Sequence, residues 1–378
     1  MPRKPLRRRS RKNASGRADT QNSSSQRRNA RRRLLLECLE PRVVLSGSPL
    51  TGLPLAGGEG EGSISLSLFV DGQQEFLPAN IGVQSDGSRA DTFTVGTSGE
   101  IFFTPDSGLT LDSFFDTWRT AAGLAGNNAS SSFSSGDLLG NATDATHLVK
   151  MFVNGQVALS YEDYVFQDGD VVSVAHTDKP ITSLNTNFGS ILVELFEVAT
   201  PGTVDNFLNY VNDGDYINSF FHRSDPAFVL QGGGFTTPST TFTNSSQFGT
   251  VPTDPPILNE PGISNLRGTI AMAKTSDPNS ATSQFFINLG DNLFLDNPAN
   301  SGGFTAFGRV LDLTVASTIE AFPIDNSNPS PFGELPRSGD QLAVIQSVAG
   351  HGELVGAKYL DVNASGTRDA GEVGIPNA

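Results

Sequence analysis

The segment Phe221-His222-Arg223-Ser224-Asp225-Pro226-Ala227-Phe228-Val229-Leu230-Gln231-Gly232-Gly233-Gly234-Phe235 sets an arginine, an aromatic and a glutamine at short fixed intervals, then adds a run of glycines. Downstream stand Gly268-Thr269-Ile270-Ala271-Met272-Ala273 and Ser283-Gln284-Phe285-Phe286-Ile287. A guanidinium keeps its charge at any physiological pH and offers its N–H donors as a rigid fork. Placed beside a reacting group, it stabilises a lone pair that develops in the transition state, which requires neither a nucleophile nor a metal. Taken singly, Arg223 reads better as a salt-bridged structural arginine, and the aromatics as ordinary core.

The elements that would carry these residues are mostly strands. Ile181–Asn185 and Ser190–Leu195 read as a hairpin around Asn187-Phe188-Gly189. Thr200-Pro201 offers an N-cap and a first-turn proline, and Val204, Phe207, Leu208 and Val211 follow at helical spacing up to Asn212-Asp213-Gly214. A second helix is predicted over Val315–Ala321, with strand-rich sequence continuing to Val348. Upstream, Ile64, Leu66, Leu68 and Val70 alternate as a strand, Asp71-Gly72 makes a turn, and Glu75-Phe76-Leu77 starts the return strand. Thr92–Val95, Glu100–Thr104, Val149–Val153, Gln156–Leu159 and Val171–Val174 are further strands. Leu111–Ala122 is an amphipathic helix, and 123–146 reads as a loop. This upstream unit is reminiscent of β-grasp domains and contains no catalytic constellation; His147 and His176 stand alone in it and read as surface residues.

The motifs Asn187-Phe188-Gly189, Thr203-Val204-Asp205-Asn206-Phe207, Phe221-His222-Arg223, Gln231-Gly232-Gly233, Ser283-Gln284-Phe285-Phe286 and Phe307-Gly308-Arg309-Val310 are each weak. In this order and spacing they resemble the cyclophilins, peptidyl-prolyl cis-trans isomerases, and most of all their bacterial branch. The resemblance covers about residues 180–350. It implies a mainly β fold, an eight-stranded antiparallel barrel capped by two helices, with proline-containing polypeptides bound in an external groove. Rotation about an Xaa-Pro bond faces a barrier of ~18–20 kcal/mol because resonance stiffens the C–N bond. Twisting the amide returns a lone pair to the prolyl nitrogen, which Arg223 is expected to stabilise, with Gln231 bonding substrate backbone and orienting Arg223. No bond breaks, so catalysis needs no cofactor, and His222 is structural.

The resemblance further implies a proline socket of Phe228, Val229, Phe286 and Leu295, with Phe304 at its rim, Gln284 in a neighbouring subsite, and Ala273 and Lys274 pairing with substrate backbone. Val229 stands in place of the commoner methionine, Phe304 in place of the histidine of many eukaryotic members, and Phe294 in place of the tryptophan of cyclosporin-sensitive ones. The alternative function is a non-catalytic scaffold or adhesin that keeps the groove and binds proline segments.

Charge divides the chain. Residues 1–42 hold 14 Lys/Arg against 3 Asp/Glu, leaving 11 against 37 in the rest. So acidic a body repels phosphates and argues against nucleic-acid partners. The single cysteine, Cys38, excludes an intrachain disulfide. Residues 1–60 read as a disordered basic tail, 63–178 as a β-rich accessory domain, 180–350 as the isomerase domain and 351–378 as a C-terminal tail. In the basic tail, Arg31-Arg32-Arg33 precedes Leu34-Leu35-Leu36, and Leu39-Glu40-Pro41-Arg42-Val43-Val44-Leu45-Ser46 is similar to a motif near the N-terminus of planctomycete exoproteins. That resemblance implies an extracytoplasmic destination; a basic arm binding anionic polymers is the other reading. No apolar stretch is long enough to span a bilayer. Oligomeric state has no sequence signal.

Asp361, Asn363, Ser365, Thr367, Asp369 and Glu372, with Gly366, follow the EF-hand spacing of calcium ligands. Calcium is the expected ion there, and a solvated polar tail the alternative.

Overall fold

The computed structural model describes residues 61–121 and 131–351. The basic tail with its export motif, Cys38 and the calcium loop from Asp361 to Glu372 lie outside the described residues.

Alternation in β1 (Gly62–Val70) sends Ile64, Leu66 and Leu68 to one face of a seven-stranded sheet and Phe69 to the other. β1 pairs in parallel with β10 (Val171–Thr177), Leu66 opposite Val172 and Leu68 opposite Val174. On the β1 side lie β2 (Gln73–Glu75), β3 (Thr92–Phe93) and β4 (Glu100–Phe103). On the β10 side lie β8 (Leu148–Val153) and β9 (Gln156–Ala158). Helix α1 (Leu111–Ala121) lays Leu111, Phe114 and Phe115 onto the face carrying Ile64 and Leu66. The first and last strands are thus parallel at the centre, with a helix across one face, as expected of the β-grasp-like pattern in the sequence.

Three details differ from the sequence reading. The return strand starts at Gln73 and ends at Glu75, so Phe76 is solvent-exposed. The stretch expected as a loop holds a small sheet of β5 (Phe133–Ser134), β6 (Asp137–Leu138) and β7 (Asn141–Ala142). It is anchored by Phe133, whose ring stacks on Phe115 with centroids 4.9 Å apart. His147 and His176 are not isolated surface residues: their rings stack 5.4 Å apart, and His176 is buried.

The second sheet has eight strands in the order β13-β14-β18-β17-β19-β12-β11-β23, antiparallel throughout. They are β11 (Ile181–Thr186), β12 (Gly189–Leu195), β13 (Arg223–Asp225), β14 (Val229–Gly232), β17 (Thr269–Met272), β18 (Phe285–Asn288), β19 (Ala306–Val310) and β23 (Ile345–His351). The sheet curls so that its two ends meet through irregular backbone before β13. Asn218 N–H donates to Ile345 O (2.8 Å), Ile345 N–H to Ser219 O (2.7 Å) and Phe221 N–H to Ala343 O (3.0 Å). Asn187 pins this seam, donating to Leu342 O (3.0 Å) and accepting from Val344 N–H (2.8 Å). Smaller strands β15 (Phe235–Thr236), β16 (Gly249–Thr250), β20 (Ile324–Asp325), β21 (Leu335–Ser338) and β22 (Gln341–Leu342) decorate the loops.

Helices α2 (Pro201–Asn212) and α3 (Thr314–Glu320) close the barrel, whose core joins Val204, Phe207, Leu230, Ile270, Phe285, Ile287, Phe307 and Ile319. Thr200 sits at the N-cap of α2, but its hydroxyl donates back to Phe196 O (3.1 Å). The Glu260 carboxylate caps the helix instead, accepting from Gly202 N–H (3.2 Å) and Thr203 N–H (2.8 Å).

The two sheets share a third apolar cluster in which Phe69, Phe152 and Ala175 pack on Ile181, Leu192 and Leu311. Beside it, the fully buried carboxylate of Glu194 accepts from Thr177 Oγ1 (2.5 Å) and Arg309 (2.6 Å), and Arg309 also donates to Asp71 O.

Candidate active site

Strand register decides which side chains meet outside the barrel. Arg223 on β13 pairs with Gln231 on β14, Gln231 with Phe286 on β18, Phe286 with Ala271 on β17, and Ala271 with Ala306 on β19. Directly paired residues project from one face, so these five form a row across four strand junctions. Their chain neighbours Leu230, Phe285, Ile287, Ile270 and Met272 point the other way and fill the core. The row is therefore outside the barrel.

Part of it is nevertheless apolar. Val229, Ala271, Phe286, Leu295 and Ala306 are buried in a cluster of their own, with Phe228, Ala273 and Phe304 packed against it. A buried polar chain behind the cluster fixes its walls. Asn292 Nδ2 donates to Phe228 O (2.8 Å) and Asn288 Oδ1 (2.8 Å), and Asn288 Nδ2 donates to Asn265 Oδ1 (3.1 Å). The turn that follows delivers Leu295 into the cluster and leaves Phe294 outside it, stacked on Phe228 with centroids 5.5 Å apart. At the opposite wall, Lys274 Nζ lies 4.1 Å from the centroid of Phe304 and donates to Ser301 O (2.5 Å). Burial pushes the Lys274 ammonium below its ordinary value.

The glycine run and α2 set the polar end. Gly233 has φ +73°, and a Cβ there would sit 2.7 Å from Ser283 O; a Cβ on Gly234 would sit 2.6 Å from the Gln284 side chain. Asn206 on α2 holds the preceding loop by donating to Thr282 O (2.9 Å). Gln284 then lies across the glycines and accepts from Gln231 Nε2 (2.9 Å). Ala273 N–H donates to Gln284 O (2.9 Å).

Arg223 is half-buried, its Cζ 5.6 Å from the centroid of Phe228. Its Nη2 donates to Asp225 Oδ2 (3.2 Å) and its Nε to Glu334 Oε2. The expected partner Gln231 donates to Gln284 and makes no hydrogen bond to Arg223; the bonds that orient the guanidinium come from two carboxylates that no motif of the sequence includes. Asp225 could have been found, since on a strand it shares a face with Arg223 two residues earlier. Glu334 is 111 residues away and carries no motif. A cavity of about 1060 Å³ lies elsewhere, lined by Gly72, Gln73, Arg267, Arg309 and Leu313, and contains none of the predicted site residues.

The family model described as cyclophilin type peptidyl-prolyl cis-trans isomerase/CLD matches residues 181–334. Among curated proteins, peptidyl-prolyl cis-trans isomerase A of Dickeya dadantii is 44% identical over 167 residues, 43% of this chain and 80% of that one. The chain belongs to the cyclophilin-type peptidyl-prolyl cis-trans isomerases. Peptidyl-prolyl cis-trans isomerase B of Escherichia coli is 41% identical over 137 residues, 35% of this chain and 78% of its own. A Streptomyces antibioticus isomerase is 45% identical over 134 residues, 34% and 75%. Cyclophilin activity is rotation about Xaa-Pro bonds, and this chain is a peptidyl-prolyl cis-trans isomerase.

His222, beside Arg223 in this cyclophilin, faces inward. It is buried edge-on to Phe235 (centroids 4.8 Å apart), and burial, then the charge of Arg223, push it from 6.5 down to about 4. The folded chain thus keeps His222 neutral while the unfolded chain takes up a proton as pH falls. Its contribution is fully present above about pH 6.5 and is lost progressively toward pH 4. The wild type is expected to unfold at pH 5 with about 2 kcal/mol less stability than at pH 7 through this group. His222→Phe should flatten that part of the slope in urea titrations; an unchanged slope would assign the loss to other groups.

Proposed function

We propose that this isomerase acts on extended, proline-containing segments of polypeptides outside the cytoplasm, with Arg223 as the donor to the prolyl nitrogen. One observation carries the site assignment: a half-buried guanidinium and an apolar cluster share one external face, joined by the row Arg223, Gln231, Phe286. Proline seats in the cluster of Phe228, Val229, Phe286, Leu295 and Phe304, which holds the ring while the chain on either side stays in the groove. Gln284, the Ala273 carbonyl and Lys274 flank it and meet substrate backbone. As the amide twists, the lone pair on nitrogen accepts from Arg223, an interaction stronger in the transition state than in either ground state. The rotation needs no cofactor.

The extracytoplasmic setting rests on the tail sequence around Leu39-Glu40-Pro41-Arg42. Proline isomerisation takes tens to hundreds of seconds unaided, so newly exported chains are suitable clients. Exchange spectroscopy of an Ala-Pro peptide with the full chain tests the activity, and no acceleration by folded protein would sink it. For location, residues 1–60 fused to a reporter that functions only after export should yield signal in a planctomycete host. A reporter retained in the cytoplasm would remove that half of the reading.

A further inference from the structure

We propose that Glu334, assisted by Asp225, is the positioning residue of Arg223 and thereby sets the turnover rate. The inference rests on the reading of Arg223 as the donor. Long side chains on an open sheet face sample many rotamers, and catalysis by a fixed donor requires that one be held. Gln231 does not hold it: its Nε2 donates to Gln284 Oε1 at 2.9 Å, and the hydrogen bonds of the guanidinium go to Glu334 and Asp225. The Glu334 carboxylate accepts from Nε and the Asp225 carboxylate from Nη2, so one edge of the fork is clamped and both Nη1 protons remain for substrate.

The clamp is itself anchored. The Glu334 carbonyl accepts from Ser224 N–H (2.8 Å), which fastens its backbone to β13 immediately beside Arg223. The next residue, Leu335, is fully buried with Phe220, Leu342 and Val344, and Phe332 packs on the same cluster. Glu334 therefore reaches Arg223 from a rigid segment. Asp225 comes from the same strand as Arg223 and adds the second contact at no cost in chain closure.

Because the apolar socket binds proline without this clamp, its loss should lower kcat and spare KM. The experiment uses the full chain as wild type, Glu334→Ala, Glu334→Gln, Asp225→Asn and Arg223→Ala. It reads kcat and KM on an Ala-Pro peptide, the thermal midpoint, and the Arg223 Nε–H resonance in ¹⁵N spectra. Glu334→Ala should lose about tenfold in kcat, as expected for one hydrogen bond to a charged group, with KM within about twofold. Its Nε–H should move to the solvent-exposed position and exchange faster. Glu334→Gln, which keeps an acceptor at the same reach and nearly the same shape, should recover part of kcat and stay folded. Wild-type kcat in folded Glu334→Ala overturns the proposal, as does a KM rise that accounts for the whole loss. If Arg223→Ala keeps wild-type activity, the donor assignment itself fails. Loss in Arg223→Ala with none in Glu334→Ala removes only the clamp.

Discussion

Arg223→Ala is expected to lower kcat/KM by about 10²–10³-fold, the range seen when a preorganised donor to developing charge is removed. The fold should survive, because both partners of Arg223 are nearly half exposed, Asp225 at 41% and Glu334 at 48%, and such pairs contribute about 1 kcal/mol or less. Affinity for a proline peptide should change little, since the socket of Val229, Phe286 and Leu295 is untouched. Arg223→Lys separates charge from geometry. An ammonium keeps the charge but cannot bond Glu334, Asp225 and the prolyl nitrogen through a rigid fork, so most of the loss should remain. Exchange spectroscopy with the full chain, beside a peptide-binding titration, measures both quantities. Retained turnover in folded Arg223→Ala would move the chemistry to another group.

The second large effect is structural and lies between the two sheets. Glu194 is fully buried, and its compensation comes from Arg309 and Thr177. Arg309→Met keeps much of the volume but strands the carboxylate, and removing one partner of a buried pair costs about 3–5 kcal/mol. Arg309 is itself 26% exposed, so the lower end, about 3 kcal/mol, is expected in urea titrations. The double variant Glu194→Gln/Arg309→Met should recover part of that loss, because no charge is then left unpaired. The turn at Gly72 should also loosen, since Arg309 donates to Asp71 O and occupies the space a Cβ on Gly72 would need. Equal stability of Arg309→Met and wild type would show that solvent reaches Glu194. Turnover per folded molecule should be unchanged, as Arg309 is outside the row that contains Arg223.

The sequence by itself determined which side chains of the candidate pocket share a face, to the extent that they are local. Arg223, Phe228, Val229 and Gln231 lie within nine positions, and Gln284 and Phe286 stand two apart. Strand alternation then assigns inward and outward faces without knowledge of the fold. Leu230, Phe285 and Ile287 fall on the core side by the same rule. Helices α1 and α2 were legible from apolar spacing, and the ends of all three helices fell within a residue or two of those expected.

Tertiary structure decided whatever depends on distant segments meeting. Glu260 caps α2 from 58 residues away, displacing the adjacent Thr200. His176 is buried by the small sheet, its Nε2–H donating to Ala142 O (3.2 Å), although its own strand gives no sign of it. The second buried face of the seven-stranded sheet, with Phe69 and Phe152, was masked because alternation names two faces but not what covers each. Glu334 is the sharpest case. A glutamate in a polar loop has no periodicity to read, and only closure of the barrel, which brings residues 343–345 against 218–221, carries it to the guanidinium. Short-range patterns encode which way a side chain points; partners that arrive by chain closure are set by packing energies no single segment contains.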